Sequence, residues 1–368
     1  MEKPFVRRSR LGVFGLLFLA IGVLFVIDTF LAKTERAESL VQAERLFQEG
    51  QTLMQHGEND AAIKRIRDAI SIERGNRNYL RTLAQAQYAA GKTKDAESTL
   101  TELLQSDSAD ALASLIMGRV LVKEGRFPEA ISYFHRAIYG DWKEDTARNR
   151  LRVRFELIDL LAQRGSKEEL LAELVPVQDQ APGDLKTRIR MGSLFLEAGS
   201  PVRAADVFRG ILHDAPANAD ANAGLAEAEF ARGDYRLAQR DFQTALRLAP
   251  DNEATRRRLD VCNQLLMLDP TTRGLGPAER FRRSLELVQL TQDETRQCIG
   301  RNVSPALGGL LDKAARALEA HVKASHQSEV SESNLGLAEQ LWQARKKECT
   351  SPPATDSPLA LVLARLAQ

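Results

Sequence analysis

A glycine between two helical patterns recurs about every 34 residues from residue 43 onward, and this repeat constrains the fold more than any other feature. The glycines are Gly57, Gly91, Gly125, Gly165, Gly199 and Gly233. A small or apolar residue lies seven positions before each glycine and again five positions after it, and a larger apolar residue follows nine positions after it. Glycine adopts the left-handed backbone conformation that ends a helix, and small residues let two helices approach closely. The sequence therefore predicts a stack of antiparallel helix pairs.

These residues resemble the pattern of the tetratricopeptide-repeat (TPR) family, in which a proline ends the second helix of each pair. The last repeat matches best, with the family's residue types at Ala226, Gly233, Tyr235, Ala238, Phe242, Ala245 and Pro250. We predict six repeats in residues 43–252, at 43–76, 77–110, 111–144, 151–184, 185–218 and 219–252. Only the last three end in a proline, and the spacer 145–150 interrupts the register. The resemblance implies an all-α fold class, a right-handed TPR α-solenoid.

The resemblance also implies a concave groove lined by the first helix of each repeat, with two apolar rows and a mixed polar row between them. The predicted lining residues are Phe47, Met54, Arg81, Tyr88, Leu115, Arg119, Val122, Phe155, Ile189, Leu196 and Phe230. Such a groove suits an extended peptide or a helix, because apolar pockets supply binding energy and polar groups set direction. The alternative is that these side chains pack against each other or against the C-terminal segment. Arg81 and Gln85 replace the lysine and asparagine of carboxylate-clamp members, so we expect no such clamp.

The N-terminal region contains an unbroken apolar run, LGVFGLLFLAIGVLFVI, at residues 11–27. With the next five residues it reaches about 20 residues, enough for a helix to span the hydrocarbon core of a bilayer. We predict a transmembrane anchor at 11–32 and a juxtamembrane helix at 33–42. A cleaved signal peptide is one alternative, although Phe30-Leu31-Ala32 is a poor cleavage site. A buried core helix is the other.

Basic residues lie on both sides of this run, at Lys3, Arg7, Arg8 and Arg10 before it and at Lys33, Arg36 and Arg45 after it. Positive charge resists translocation, and charge that precedes a long translocated domain has more influence than charge that follows. We therefore predict that residues 1–10 are cytoplasmic. The chain would be a single-pass protein of the inner or plasma membrane with its bulk outside the cytoplasm, in a bacterium the periplasm.

Residues 253–268 predict a cap helix with a polar outer face, which the end of a solenoid needs. In this helix Arg256, Arg257 and Arg258 are expected to face water. Residues 269–350 leave the repeat register and predict three helices, at about 278–299, 305–326 and 331–349, the last opened by a cap region at 331–334.

Cys298 and Cys349 lie at the ends of the first and third of these helices. Short connections make neighbouring helices antiparallel, so the first and third run in the same direction and bring the two cysteines to one end. We expect a disulfide between them if this segment is extracytoplasmic, with two unpaired thiols as the alternative. Residues 351–368 predict a polar linker and a short apolar tail, which either docks back as a helix or is offered to a partner.

The sequence contains little that could carry out catalysis or hold a cofactor. Lysine and arginine number 51 against 50 aspartates and glutamates, a balance that provides no field for collecting nucleic acid. Nucleophile-elbow, phosphate-loop, dinucleotide and paired-histidine zinc motifs do not occur, and the three cysteines and five histidines are scattered. We predict no catalytic residue, no metal, no cofactor and no small-molecule substrate.

These features predict a membrane-tethered TPR scaffold or adaptor that binds a protein or peptide in its groove, in cell-envelope assembly or regulation. The alternative is an accessory or regulatory subunit of a membrane-associated transferase, with the solenoid on the cytoplasmic side of the membrane. A third hypothesis assigns transferase chemistry to the C-terminal segment 269–368.

Overall fold

The structure, a computed structural model, describes residues 6–178, 183–299, 303–349 and 357–367, with the side chains of residue 19 and of residues from 22 onward. In these ranges the chain forms α-helices joined by short turns, and it divides into two compact units, residues 1–160 and 161–368. The helices that begin in the first unit are α1 (Val6–Gln55), α2 (Asn59–Ile72), α3 (Arg77–Ala89), α4 (Thr93–Ser106), α5 (Ala111–Lys123), α6 (Phe127–Tyr139) and α7 (Thr146–Arg164).

Glycines join the helix pairs of the first unit as the repeat pattern predicts. Gly57, Gly91 and Gly125 have φ angles of 80°, 76° and 76°, the left-handed conformation that ends the first helix of each pair. Asn76 and Asp110 accept hydrogen bonds from backbone N–H groups at the starts of α3 and α5, which satisfies donors that a helix leaves unpaired. The predicted helix-pair geometry is therefore confirmed at these turns.

The second unit contains α8 (Lys167–Leu174), α9 (Leu185–Glu197), α10 (Pro201–Asp214), α11 (Ala219–Ala231), α12 (Tyr235–Leu248), α13 (Glu253–Leu268), α14 (Pro277–Cys298), α15 (Pro305–Glu319), α16 (Gln327–Glu348) and α17 (Pro358–Leu366). Pro216 and Pro250 lie two residues beyond α10 and α12, which confirms their role as helix stops. Pro182 lies outside the described residues. The missing side chain of Gly192 makes room for Phe208, since a Cβ there would lie 2.6 Å from the ring.

Helix α13 coincides with the cap helix predicted at 253–268, and it has the predicted polar outer face, since Arg256 and Arg257 are exposed. The hydrophobic core, however, does not end at this helix. One hydrophobic core extends from Phe242 in the last repeat through Leu265 of α13 to Trp342 of α16 and Leu363 of α17. Helix α17, the predicted apolar tail, docks back against α13 and buries its own leucines. The linker before this tail, at 351–356, lies outside the described residues.

Two helix boundaries of the C-terminal segment differ from the prediction. Helix α15 ends at Glu319 rather than near residue 326, because no side chain between 320 and 326 is buried and a helix there would have no packing face. Helix α16 begins at Gln327, so Ser331 and Asn334 lie inside the helix instead of capping it. Asn334 is buried and donates to the Ser284 hydroxyl of α14 at 3.0 Å.

Helices α14 and α16 pack side by side and run in the same direction. The Asn334–Ser284 hydrogen bond joins positions near their starts, and a disulfide joins Cys298 to Cys349 at their ends, with the Cα atoms 5.6 Å apart. This confirms the predicted parallel course. The third cysteine, Cys262, is buried in α13, where desolvation raises the pKa of its thiol to about 11.

The predicted anchor, residues 11–32, lies within α1, a continuous helix that also forms the first helix of the first repeat. Some of its side chains lie outside the described ones, as do residues 1–5 of the basic N-terminus. Among the residues that were described, no helix has the length and apolar character needed to cross a membrane.

Candidate partner-binding site

Four of the predicted groove residues are buried and hold the fold together. Phe47 stacks on Tyr79 with ring centroids 4.5 Å apart, and Leu115 is fully buried. Arg81 pairs with the buried Asp110 at 3.5 Å. Phe230 is packed inside the second unit. For these four, the alternative of internal packing describes the structure better than contact with a ligand.

The other seven predicted groove residues are half-buried, so each presents part of its side chain to solvent. They are Met54, Tyr88, Arg119, Val122, Phe155, Ile189 and Leu196. Five of them belong to the first unit, on consecutive first helices α1, α3, α5 and α7. This half-buried row is the candidate site.

The centre of the candidate site is the Tyr88 ring. The Lys123 ammonium lies 4.0 Å from the ring centroid and donates to the Tyr88 carbonyl at 3.2 Å. Val122 adds an aliphatic surface from the same helix, α5. A flat aromatic ring beside an aliphatic side chain and a cation provides both apolar contact area and a polar contact for a peptide.

An ion pair borders this centre and joins α5 to α7. Arg119 donates from Nε and Nη2 to the two carboxylate oxygens of Glu156, each at 2.7 Å. These hydrogen bonds to Glu156 raise the pKa of Arg119, so the guanidinium is charged at any working pH. Because both side chains are about one-third exposed, we expect the pair to orient the helices rather than add much stability.

The second unit contains the same arrangement with the charges exchanged. Glu227 of α11 accepts two short hydrogen bonds from Arg258 of α13, at 2.7 and 2.6 Å. The Arg258 guanidinium also lies 4.3 Å from the Phe230 ring centroid. Arg258 was predicted to face water, and this prediction is wrong because the residue packs against the last repeat.

Glu156, Lys123 and Arg258 were missed by sequence reasoning. A signal for two of them existed, since Arg119–Glu156 and Glu227–Arg258 each link position 9 of one repeat to position 6 of the next helix pair. Opposite charges at that spacing predict a pair once the repeat register is known.

No group of three or more histidine, cysteine or acidic side chains able to hold a metal occurs among the described residues.

Consecutive helix pairs, joined by left-handed glycines and presenting a half-buried row on their first helices, define a helical-repeat protein. Models of the tetratricopeptide repeat match residues 81–145 and 195–259. Residues 81–145 and 195–259 are therefore tetratricopeptide repeats, which confirms the predicted resemblance to the TPR family.

This chain is similar to several known proteins at low sequence identity. Cellulose synthase operon protein C of Escherichia coli is 24% identical over 231 residues, which cover 62% of this chain and 20% of that protein. This chain thus spans about a fifth of the relative's length. Among solved structures, that of YrrB, a TPR protein with an unusual peptide-binding site, is 17% identical with a TM-score of 0.42, covering 53% of this chain and 97% of that chain. The C-terminal part of a TPR protein from Cytophaga hutchinsonii is 15% identical with a TM-score of 0.44, covering 76% of this chain and 98% of that chain.

Proposed function

We propose that this chain is a membrane-tethered scaffold that binds a peptide or helix of a protein partner at the row around Tyr88. The observation that carries the proposal is the half-buried Tyr88 ring in contact with the Lys123 ammonium, together with the half-buried Val122 that precedes Lys123 in α5. A scaffold needs a surface that is preformed and partly apolar but still accessible, and this row combines those properties. Catalytic chemistry has no support in the residues that form the site.

The proposed tether rests on the apolar run at 11–27 and on the exposure of its described side chains. Large apolar residues of α1 are about half to two-thirds exposed, among them Leu24 at 65%, Phe25 at 68% and Phe30 at 66%. An apolar surface of this extent is unfavourable in water, and a bilayer would shield a helix from water on all sides.

An envelope setting is supported by two further observations. The Cys298–Cys349 disulfide is a bond that persists in oxidising compartments, such as the periplasm. The similarity to a protein of a cellulose synthase operon also favours a role for this chain in the cell envelope. We propose that the repeats lie outside the cytoplasm and recruit a partner there.

Val122→Glu is expected to reduce partner binding at least about tenfold, because it places a charge where the partner would contact an aliphatic surface. The measurement is quantitative co-purification from detergent-solubilised membranes. Val202→Glu provides a matched control, since the change of charge is the same. Val202 is 58% exposed and lies on α10, the second helix of its repeat, away from the row on the first helices. Equal recovery of partners with wild type and Val122→Glu, at unchanged helicity, would contradict the proposed site.

A further inference from the structure

An exposed tyrosine that contacts one arginine, with two further arginines bonded to backbone near it in the chain, lies between α6 and α7 in the first unit. Tyr139 is 70% exposed, and its hydroxyl accepts a hydrogen bond from Arg154 Nη2 at 3.1 Å. Arg150 Nη2 donates to the Gly140 carbonyl at 3.3 Å, and Arg136 Nη2 donates to the Ser108 carbonyl at 3.1 Å. We call Arg136, Tyr139, Arg150 and Arg154 the Arg–Tyr surface.

The stretch that contains the Arg–Tyr surface has an excess of positive charge that is confined to a short part of the chain. Residues 136–154 contain six basic and three acidic side chains, and four arginines alternate along 148–154. The acidic residues are Asp141, Glu144 and Asp145, of which Asp145 pairs with Arg148 at 3.5 Å. The hydrogen bonds of Arg136 and Arg150 given above go to neutral carbonyl oxygens, so these bonds do not neutralise the guanidinium charges.

The backbone between the two helices is held in a specific conformation. Within the described ranges, Asp145 is the one residue other than glycine with a positive φ, at 45°. The Trp142 indole donates to the Ala137 carbonyl at 2.8 Å, and the Asn149 amide donates to the Glu144 carbonyl at 2.9 Å. A non-glycine residue in this conformation needs surrounding structure to hold it, and such positions concentrate at functional sites.

We propose that the Arg–Tyr surface binds a short acidic segment of a partner protein, as a second contact distinct from the row around Tyr88. Arginine and tyrosine are the residues that most often dominate protein interfaces. The planar guanidinium forms paired hydrogen bonds with a carboxylate, so arginines are better suited to spaced acidic side chains than lysines would be.

The charge distribution favours a peptide over a membrane or a nucleic acid. A bilayer or a phosphate backbone presents continuous negative charge, which the three acidic residues of this region would repel. The whole chain has a net charge of +1, so no long-range field assists such a polyanion. A short segment can place its carboxylates beside the arginines and avoid Asp141 and Glu144.

The test is fluorescence anisotropy of a labelled Glu-Gly repeat peptide with the full chain in non-ionic detergent. We expect binding that weakens as salt is added. Arg150→Glu should weaken it about tenfold, and Arg150→Gln should weaken it less, because the latter removes the charge without reversing it. The control is Arg257→Glu, which makes the same charge change at an exposed residue of α13 in the second unit and should leave binding within about twofold of wild type.

Three outcomes would overturn the proposal. One is failure of the Glu-Gly peptide to bind at all. Another is an equal loss of binding in Arg150→Glu and Arg257→Glu. The third is tighter binding of a polyanion, in which single-stranded DNA or anionic vesicles bind the chain more tightly than the peptide does and Arg150→Glu releases them. The vesicle measurement compares wild type with the variant, because the apolar N-terminus affects both equally. Unchanged circular dichroism of the variants excludes misfolding as the cause.

Discussion

Glu229→Gln is expected to abolish a loss of stability that the natural chain shows as the pH rises through about 7. At about pH 8.5 the variant should exceed the natural chain by about 2 kcal/mol in free energy of unfolding, whereas at about pH 5 the two should be nearly equal. The reason is a pair of buried carboxyl groups in the last repeat.

Glu229 of α11 and Asp241 of α12 face each other with 2% and 6% of their surfaces exposed. One oxygen of each carboxyl group has no hydrogen-bond partner among the described residues. The nearby cations are Arg209 of α10, 3.9 Å from Glu229, and Arg240, 2.8 Å from Asp241. Burial, the charge of Asp241 and a hydrogen bond with that residue raise the pKa of Glu229 to about 7.

A raised carboxyl pKa means that the folded chain retains a proton that the unfolded chain releases. Between the ordinary glutamate value and about 7, the folded state therefore binds more protons, and stability falls as the pH rises. The contribution is complete at low pH and is lost above about 7. Glutamine does not ionise and can donate a hydrogen bond to Asp241. In the variant, this part of the pH dependence of the free energy of unfolding should therefore disappear.

Unfolding by urea at several pH values measures this effect. Of the two tryptophans, Trp342 belongs to the core of the second unit, so a Trp142→Phe background lets fluorescence follow that unit alone. Asp220→Asn is the control, an exposed carboxylate on the same helix, and it should keep the pH dependence of the natural chain. Parallel stability curves for the natural chain and Glu229→Gln would show that the carboxyl pair holds no shared proton.

Reduction of the Cys298–Cys349 disulfide is expected to destabilise the second unit by about 2–4 kcal/mol. The bond links residues 51 positions apart and therefore removes many conformations from the unfolded chain. It also joins the ends of α14 and α16, whose contact contains buried polar groups such as Thr291 and Asn334 rather than a continuous apolar seam.

The measurement is the urea midpoint of Trp342 fluorescence with and without reductant. A Cys298→Ser, Cys349→Ser double variant should resemble the reduced chain and respond no further to reductant. Thiol titration of the unfolded, unreduced chain should find one thiol, that of Cys262, out of three cysteines. Three free thiols before reduction, in protein taken directly from membranes, would contradict the disulfide and the extracytoplasmic location proposed from it.

The turns between helices were predictable because their chemistry is local. The turn at Gly91 needs a left-handed backbone, which glycine adopts readily, and Pro250 cannot continue a helix. Each residue therefore specifies its turn without knowledge of the rest of the chain. Repetition then placed the same turn along the chain. The helix pairs follow from these residues.

The candidate site was only partly predictable because periodicity states which face a residue occupies and not how deeply its neighbours bury it. Leu115 and Val122 both lie on the predicted groove face of α5, yet one is fully buried and the other half-buried. The docking of α17 on α13 depends on contacts between segments far apart in the sequence, such as that of Arg365 with Asp269, which lie 96 positions apart. No local pattern specifies such contacts.

The central claim, that a partner binds at the row around Tyr88, is tested most directly by site-specific photocrosslinking in cells. p-Benzoylphenylalanine in place of Tyr88 should yield a discrete adduct with a protein partner after irradiation, and this adduct should be lost when Val122→Glu is added. The same group in place of Glu102, exposed on the second helix α4, should yield no such adduct. An identical adduct from both positions, or none from position 88, would contradict the claim.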